Sequence, residues 1–226
     1  NEFFFSGSRE ELLSGKSGKK LEPLAASGVD TGMGLERLAM IVQNVSNIFE
    51  TDLFRPLIEL LPGSLDMRQK RIAADHLRAS VFLLADGVRP SNKEAGYILR
   101  RILRRAITFE QLNKSAPDDY ENILLTVIGN YGNFYPEITR EKNNIINEYW
   151  QERERFLKTL ERGMKKIQEL PEISAVEAFD LYQTFGIPFE TIKDIAGERA
   201  GRLDRGSFAQ ELKKHQEKSR AGLDKK

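Results

Sequence analysis

The chain of 226 residues has no cysteine, only two histidines and one tryptophan, and no long uninterrupted apolar run. Without cysteine, neither a disulfide framework nor a thiolate metal site can form, and His76 and His215 are too few and too far apart for a convincing metal set. No metal site is expected. No apolar stretch approaches the roughly 20 residues that span a bilayer, and the opening NEFFFSGS lacks the basic region and cleavage site of a secretory signal. The expectation is therefore a cytoplasmic protein with no membrane partner. What is present, 40% hydrophobic and 31% charged residues, suits a soluble globular chain with one large or two smaller cores. No internal repeat is visible.

The net charge of +1 hides an asymmetry. Between Arg68 and Ile107 stand ten Lys/Arg against three acids, a local charge of +7 that leaves −6 for the remainder. A basic block in an otherwise acidic chain is the footprint expected for a polyanion partner, although charge blocks on helices are often solvated faces. The arrangement favours the first reading. At 100° per residue, Arg100, Arg101, Arg104 and Arg105 share one arc of about 140°, while Leu99, Ile102, Leu103 and Ala106 occupy the other side. Four adjacent guanidiniums repel one another unless something negative lies against them, which points to nucleic-acid backbone. Pairing with the chain's own surplus acids stays open.

From Gly34 onward the pattern is helical. Asp66 predicts the cap of a helix running to Ala85. Ser91-x-x-Glu94 predicts a capping box that puts Asn92 and Lys93 in the first turn of the arginine helix, with free backbone N–H groups suited to an anion. Between Pro136 and Pro171 lies a proline-free segment whose 34 residues would make one helix of roughly 50 Å, with Gly163 as a bend. Ile146, Tyr149, Phe156, Leu160, Met164 and Ile167 give it an apolar stripe. Ser174-x-x-Glu177 opens a further helix that Gly186 closes, and Ser207-x-x-Gln210 caps the last. Before Gly34, Phe3 to Phe5 reads as a short buried strand and Ser6 to Ser27 as a long loop or hairpin. His76, inside ADHLRASVFLLA, reads as a satisfied, partly buried histidine rather than a catalytic one.

The stretch VDTGMGLER, Val29 to Arg37, organises the chain. Gly32 and Gly34 let bare backbone approach a ligand, Asp30 puts a carboxylate at the entrance, and Arg37 offers a planar fork of donors to phosphate oxygens. On its own, the spacing is equally that of a glycine turn before a surface helix. The longer string VDTGMGLERLA resembles the third signature motif of the class II aminoacyl-tRNA synthetases, in its alanyl-tRNA synthetase form. ADHLRA (74–79), ADGVRPSN (85–92), GYILRRILRRA (96–106), FGIPFE (185–190) and HQEKSR (215–220) extend the resemblance over nearly the whole chain.

That resemblance implies a mainly α fold, a helical bundle with a short β-strand/hairpin remnant of a class II catalytic domain at its start. Residues 1–50 would be the end of the catalytic domain and 51–226 a helical tRNA-recognition domain. It implies alanine–tRNA ligase activity, in which alanine is activated with ATP, with Mg in the complete enzyme, and transferred to tRNA(Ala). Asp30 and Arg37 would be the catalytic residues; Asn1, Asp30 and Gly32 would hold alanine, and Gly34 and Arg37 ATP. The acceptor stem would be read at a G·U pair by Asn92 and Glu190, with Lys93 and the four arginines beside them. At Glu190 the family often has Asp. The first two motifs and the editing domain would belong to the remainder of the synthetase, so this piece alone is expected to be inactive. Two other classes remain: a non-catalytic tRNA-binding module or split subunit, and a helical scaffold with an acidic protein partner.

Overall fold

The computed structural model describes residues 3–4, 9–14, 22–23 and 32–223, and the chain falls into two compact units, residues 1–51 and 52–226. In the first unit, β1 (Phe3–Phe4) pairs antiparallel with β2 (Glu22–Pro23), flanking the short helix α1 (Arg9–Ser14). The expected strand/hairpin remnant of a catalytic domain is thereby corrected. Among the described residues these two dipeptides pair over two rungs with no third strand beside them, too little to make a stable sheet. The loop or hairpin predicted for 6–27 is also interrupted by α1. A glycine turn then leads into α2 (Leu35–Val42), followed by a 3-10 turn, Ile48–Glu50, which Asn47 caps by accepting from the Phe49 N–H at 3.0 Å.

The second unit is helical among its described residues. Its elements are α3 (Arg55–Leu60), α4 (Met67–Ala85), α5 (Glu94–Leu112), α6 (Pro117–Tyr131), α7 (Pro136–Arg140), α8 (Lys142–Glu169), α9 (Ala175–Phe185), α10 (Phe189–Ala196) and α11 (Arg205–Leu223), with a 3-10 turn at Gly197–Ala200. The Asp66 cap forms as a reciprocal box with Gln69, and Ser174 with Glu177 forms another. Gly186 ends α9 in the left-handed region at φ 68°, which glycine adopts without the clash a Cβ would bring. Two other expected caps fail. Ser207 lies inside α11, where Asp204 accepts from its N–H at 2.9 Å and does the capping instead. At α5 the N-cap is Lys93, without a side-chain cap.

The single long helix predicted between the prolines divides at Glu141 into α7 and α8. Gly163, where a bend was expected, lies inside the uninterrupted α8 and is buried, and a Cβ there would meet Ile187 and Phe185. The buried stripe of α8 runs through Ile145, Tyr149, Glu152, Phe156, Leu160, Gly163 and Ile167, so Ile145 and Gly163 replace the expected Ile146 and Met164. It packs on α5 and α9, while α5 also packs on α4 and α10. α4 packs on α5, and Leu77, Val81 and Leu84 of the first and Leu99, Leu103, Ala106 and Ile107 of the second are all fully or almost fully buried. At about 1.5–3 kcal/mol per such side chain, this seam is what holds α5 in place.

Polar groups are also buried in this core. Glu110 has no exposed surface and accepts from Arg153 Nε at 3.0 Å and Tyr149 Oη at 3.2 Å. Burial and the Glu110 charge raise the Tyr149 hydroxyl well above its ordinary range, and burial does the same to Tyr120 and to Tyr182, which is pushed up to about 12. These folded-state values lie above the unfolded value near 10, so the stability they carry is complete below about pH 10 and is lost as pH rises towards the folded values. At about pH 11, tyrosinate absorbance should show at least three of the six tyrosines still protonated in the folded chain and all six ionising in urea.

Candidate functional site

In the first unit, Asn1 and Asp30 lie outside the described residues. Gly32, Gly34 and Arg37 are exposed, and the Arg37 and Leu38 N–H groups both donate to the Gly34 carbonyl at 3.1 Å, closing the turn into α2. A Cβ on Gly32 would meet nothing, and on Gly34 only the Glu36 and Arg37 side chains. The exposed Arg37 guanidinium suits a phosphate oxygen, but the described residues of this unit do not enclose a nucleotide. Among the described residues no group of three His, Asp or Glu could hold a metal ion. The face of α2 carrying Leu35, Leu38 and Ile41 is exposed within its own unit.

In the second unit, the residues singled out around α5 come together. The segment before α5 does not form the predicted capping box. Ser91 instead accepts from the Lys93 N–H at 3.3 Å, and its own N–H donates to the Gly96 carbonyl at 3.0 Å. Asn92 and Lys93 thus sit just outside the helix, both exposed, and Glu94 follows at φ 48°, in the left-handed region. That turn exists because Gly96 is buried with no side chain. A Cβ there would fall well inside contact distance of the Ser91 hydroxyl and the Arg89 carbonyl.

The four arginines each find carboxylates within the chain. Arg104 donates through Nε to Glu152 at 2.7 Å and through Nη1 to the Gly186 carbonyl at 2.7 Å. Burial lowers its pKa, opposed by the charge of Glu152. Arg100 lies 3.6 Å from the same carboxylate and donates to the Asn92 side-chain oxygen. Arg105 donates to Asp194 at 2.8 Å, which also takes Arg68 at 3.0 Å. Arg101 stands 4.0 Å from Glu190, which pairs with Arg205 as well. The intramolecular pairing left open by the sequence is thus present, yet it does not neutralise the surface. Counting Arg155, 3.8 Å from Glu152, seven guanidiniums face three carboxylates and leave four positive charges in excess.

Asn92 and Glu190 line two neighbouring hollows. Asn92, Arg100, Arg104 and Tyr182 border one of about 400 Å³. Glu190, Phe189, Arg205 and Phe208 border another of about 150 Å³, and Tyr97 with Arg101 belongs to both walls. Arg101 is the most exposed of the four helix arginines at 34% of its side chain, against 13% for Arg104 and 16% for Arg105. Glu190 is not a solvated residue, being 18% exposed between two guanidiniums. Tyr97, Tyr182, Arg205, Glu152 and Asp194 were not singled out by the sequence. Tyr97 stands three and four residues before Arg100 and Arg101, a usable signal in hindsight; Tyr182 and the two acids carry no local mark. His76 is partly buried, with Nδ1 3.4 Å from Asp75, which its presence holds below the usual carboxylate range.

One unit is thus helical with a cationic, aromatic-lined surface, and the other carries a glycine turn feeding an arginine-bearing helix, a combination in keeping with the class II synthetase resemblance of the sequence. Residues 10–226 match the sequence model of the family described as tRNA synthetases class II (A), and the chain belongs to that family. It is 41% identical over 223 residues to a protein of Elusimicrobium minutum, 92% of this chain and 26% of that one, called alanine–tRNA ligase. Proteins of the same name from Fervidobacterium nodosum (38% over 213 residues; 88% of this chain, 25% of that one) and Thermotoga maritima (39% over 217; 90% and 25%) are similar to it. The chain spans about a quarter of the length of these relatives.

The Gly96 contact yields a direct test. In Gly96→Ala the added carbon must displace the Ser91 side chain or the Arg89 backbone, at a cost of about 1–3 kcal/mol. A lowered urea midpoint with an unchanged slope should accompany a shift of the Asn92 side-chain amide resonance, whereas Gly129→Ala, with nothing near its Cβ, should leave that resonance in place.

Proposed function

We propose that this chain is the part of an alanine–tRNA ligase that carries the third catalytic motif in residues 1–50 and the tRNA-recognition helices in 51–226. The reading is carried by one observation: Asn92 and Glu190, far apart in sequence, border adjacent hollows whose shared wall is cationic Arg101 and aromatic Tyr97. A duplex RNA offers a shallow minor groove to short amide and carboxylate side chains, and its phosphates to guanidiniums. In the first unit, Asn1, Asp30 and Gly32 serve alanine, while Gly34 and Arg37 serve ATP, with Mg as its usual companion. The partners are tRNA(Ala), alanine and ATP, together with the catalytic and editing parts of the synthetase, in the cytoplasm. Among the described residues no helix is long and apolar enough to cross a membrane.

Within this reading the arginines divide. Arg104 and Arg105, the less exposed pair, each donate a strong hydrogen bond to a carboxylate and shape the site from behind. Arg101 and Lys93, which reach solvent, meet phosphate. Arg101→Ala should weaken all RNA hairpins alike and lower the salt slope of binding by about one unit, because one counterion fewer is released. Asn92→Ala and Glu190→Ala should instead reduce the preference for an acceptor-stem hairpin with a G·U pair over its G·C counterpart, by roughly the 1–3 kcal/mol of a base-edge hydrogen bond. An unchanged ratio in both variants rules out this surface as the reader. In the whole ligase, Arg37→Ala should slow alanine-dependent pyrophosphate exchange while tRNA affinity stays put; normal exchange would remove Arg37 from the ATP site.

A further inference from the structure

We infer that Arg100 is a positioning residue that makes Asn92 a donor-only reader, so that Asn92 recognises an acceptor atom on the RNA and not an amino group. This rests on Asn92 contacting RNA, as proposed above.

Asn92 ends in an amide, which offers a donor NH₂ on one side and an acceptor oxygen on the other. A free asparagine on an exposed turn can present either, and would pair as well with a base amino group as with a base carbonyl or ring nitrogen. Here the choice is made by a neighbour. Arg100, two turns along, donates to the Asn92 side-chain oxygen. A guanidinium has five donors and no acceptor, so only the oxygen of the amide can face it. The NH₂ group is therefore turned away from Arg100. The guanidinium is itself held: its Nη2 donates to the Pro90 carbonyl at 3.5 Å, its Nε lies 3.6 Å from Glu152, and Glu152 is 1% exposed, anchored by Arg104 at 2.7 Å. The backbone of the turn is fixed from the other side by Ser91 on Gly96. The relay runs from a buried carboxylate through a guanidinium to an amide whose donor face is open.

The consequence is chemical. Acceptors on a base edge or a ribose hydroxyl oxygen suit the exposed NH₂; an exocyclic amino group does not. Arg100 gives little to phosphate, because its two terminal nitrogens donate to Asn92 and Pro90, its buried Nε stands 3.6 Å from Glu152, and its side chain is 22% exposed.

The experiment uses the chain itself with two RNA probes, an acceptor-stem hairpin containing a G·U pair and the same hairpin with G·C. Four variants are compared: Asn92→Ala, Asn92→Asp, Arg100→Gln and Arg101→Gln. Asn92→Asp keeps a partner for Arg100 but has no donor. Arg100→Gln lets the amide turn either way. Arg101→Gln removes the same charge one position away. The preference between hairpins should fall about tenfold in Asn92→Ala, Asn92→Asp and Arg100→Gln, while Arg101→Gln weakens both hairpins equally and keeps the ratio. Arg100→Lys, which retains the charge beside Glu152 and a donor towards Asn92, should recover part of the ratio, and separates positioning from misfolding. If Arg100→Gln keeps the ratio that Asn92→Ala destroys, Arg100 does not orient the amide, although Asn92 still reads. Full retention of the ratio in Asn92→Asp shows that the donor is not what is used. If Asn92→Ala itself leaves the ratio unchanged, the reading of Asn92 fails and the inference with it.

Discussion

One buried carboxylate organises the arginine surface. Glu152 sits in the middle of α8 with 1% of its side chain exposed, and the chain turns Arg104 and Arg100 of α5 towards it. Taking a carboxylate out of water costs several kcal/mol, which is offset only when well-placed partners surround it. Arg104 is the principal partner, and it extends the constraint by donating to the Gly186 carbonyl, so one ion pair ties α5, α8 and the turn between α9 and α10. Gly186 is required there twice over, by its positive φ and because a Cβ would collide with the Arg104 guanidinium. Such a cluster is a poor device for raw stability, since an apolar trio of the same volume would pack at least as well. What it provides is direction: each guanidinium leaves the helix at a fixed angle.

Much of this was legible in the sequence, and the omissions share a cause. Asp66 and Ser174 were recognisable as caps because the partner is three residues away, within the same turn. The arginine arc followed from helical periodicity, which is equally local. Its partners did not, because Glu152 lies 48 residues beyond Arg104 and Asp194 lies 89 beyond Arg105. Separations of that size are set by the packing of α8 and α10 on α5, which no local pattern encodes. The failed caps obey the same rule. Ser207 has the right spacing to Gln210, but Asp204, a stronger acceptor one turn earlier, takes the N–H first. Ser91 has the right spacing to Glu94, but the missing Cβ at Gly96 lets Ser91 fold onto the helix backbone.

In the first unit the resemblance reached further than the residues could. Helical patterning after Gly34 was sound, since α2 begins at Leu35. The strand remnant was an expectation taken from the resemblance to a catalytic domain, not from the residues themselves. A sheet is stabilised by neighbours on both sides and by a covered face, and among the described residues β1 and β2 pair with each other alone at two residues per strand. The chain's family membership and the lack of a larger sheet among the described residues are compatible, since the chain spans about a quarter of the length of its relatives.

The surface that remains charged after these internal pairings is better suited to RNA than four free arginines would be. A free arginine loses about 2 kcal/mol of rotamer entropy when it is immobilised on a phosphate, and a row of them pays also for mutual repulsion before any ligand arrives. Shared carboxylates remove both costs in advance. Asp194 holds Arg68 and Arg105, Glu190 holds Arg101 and Arg205, and Glu152 holds Arg100, Arg104 and Arg155, so every cation is already ordered while each group keeps a positive remainder. The field of that remainder reaches across about a Debye length and attracts a polyanion without being spent on any one contact. Selection is then left to the few groups not consumed by the pairing. In the proposed reading the foremost of them is the amide of Asn92, whose oxygen meets Arg100 beside the same buried carboxylate that pairs with Arg104.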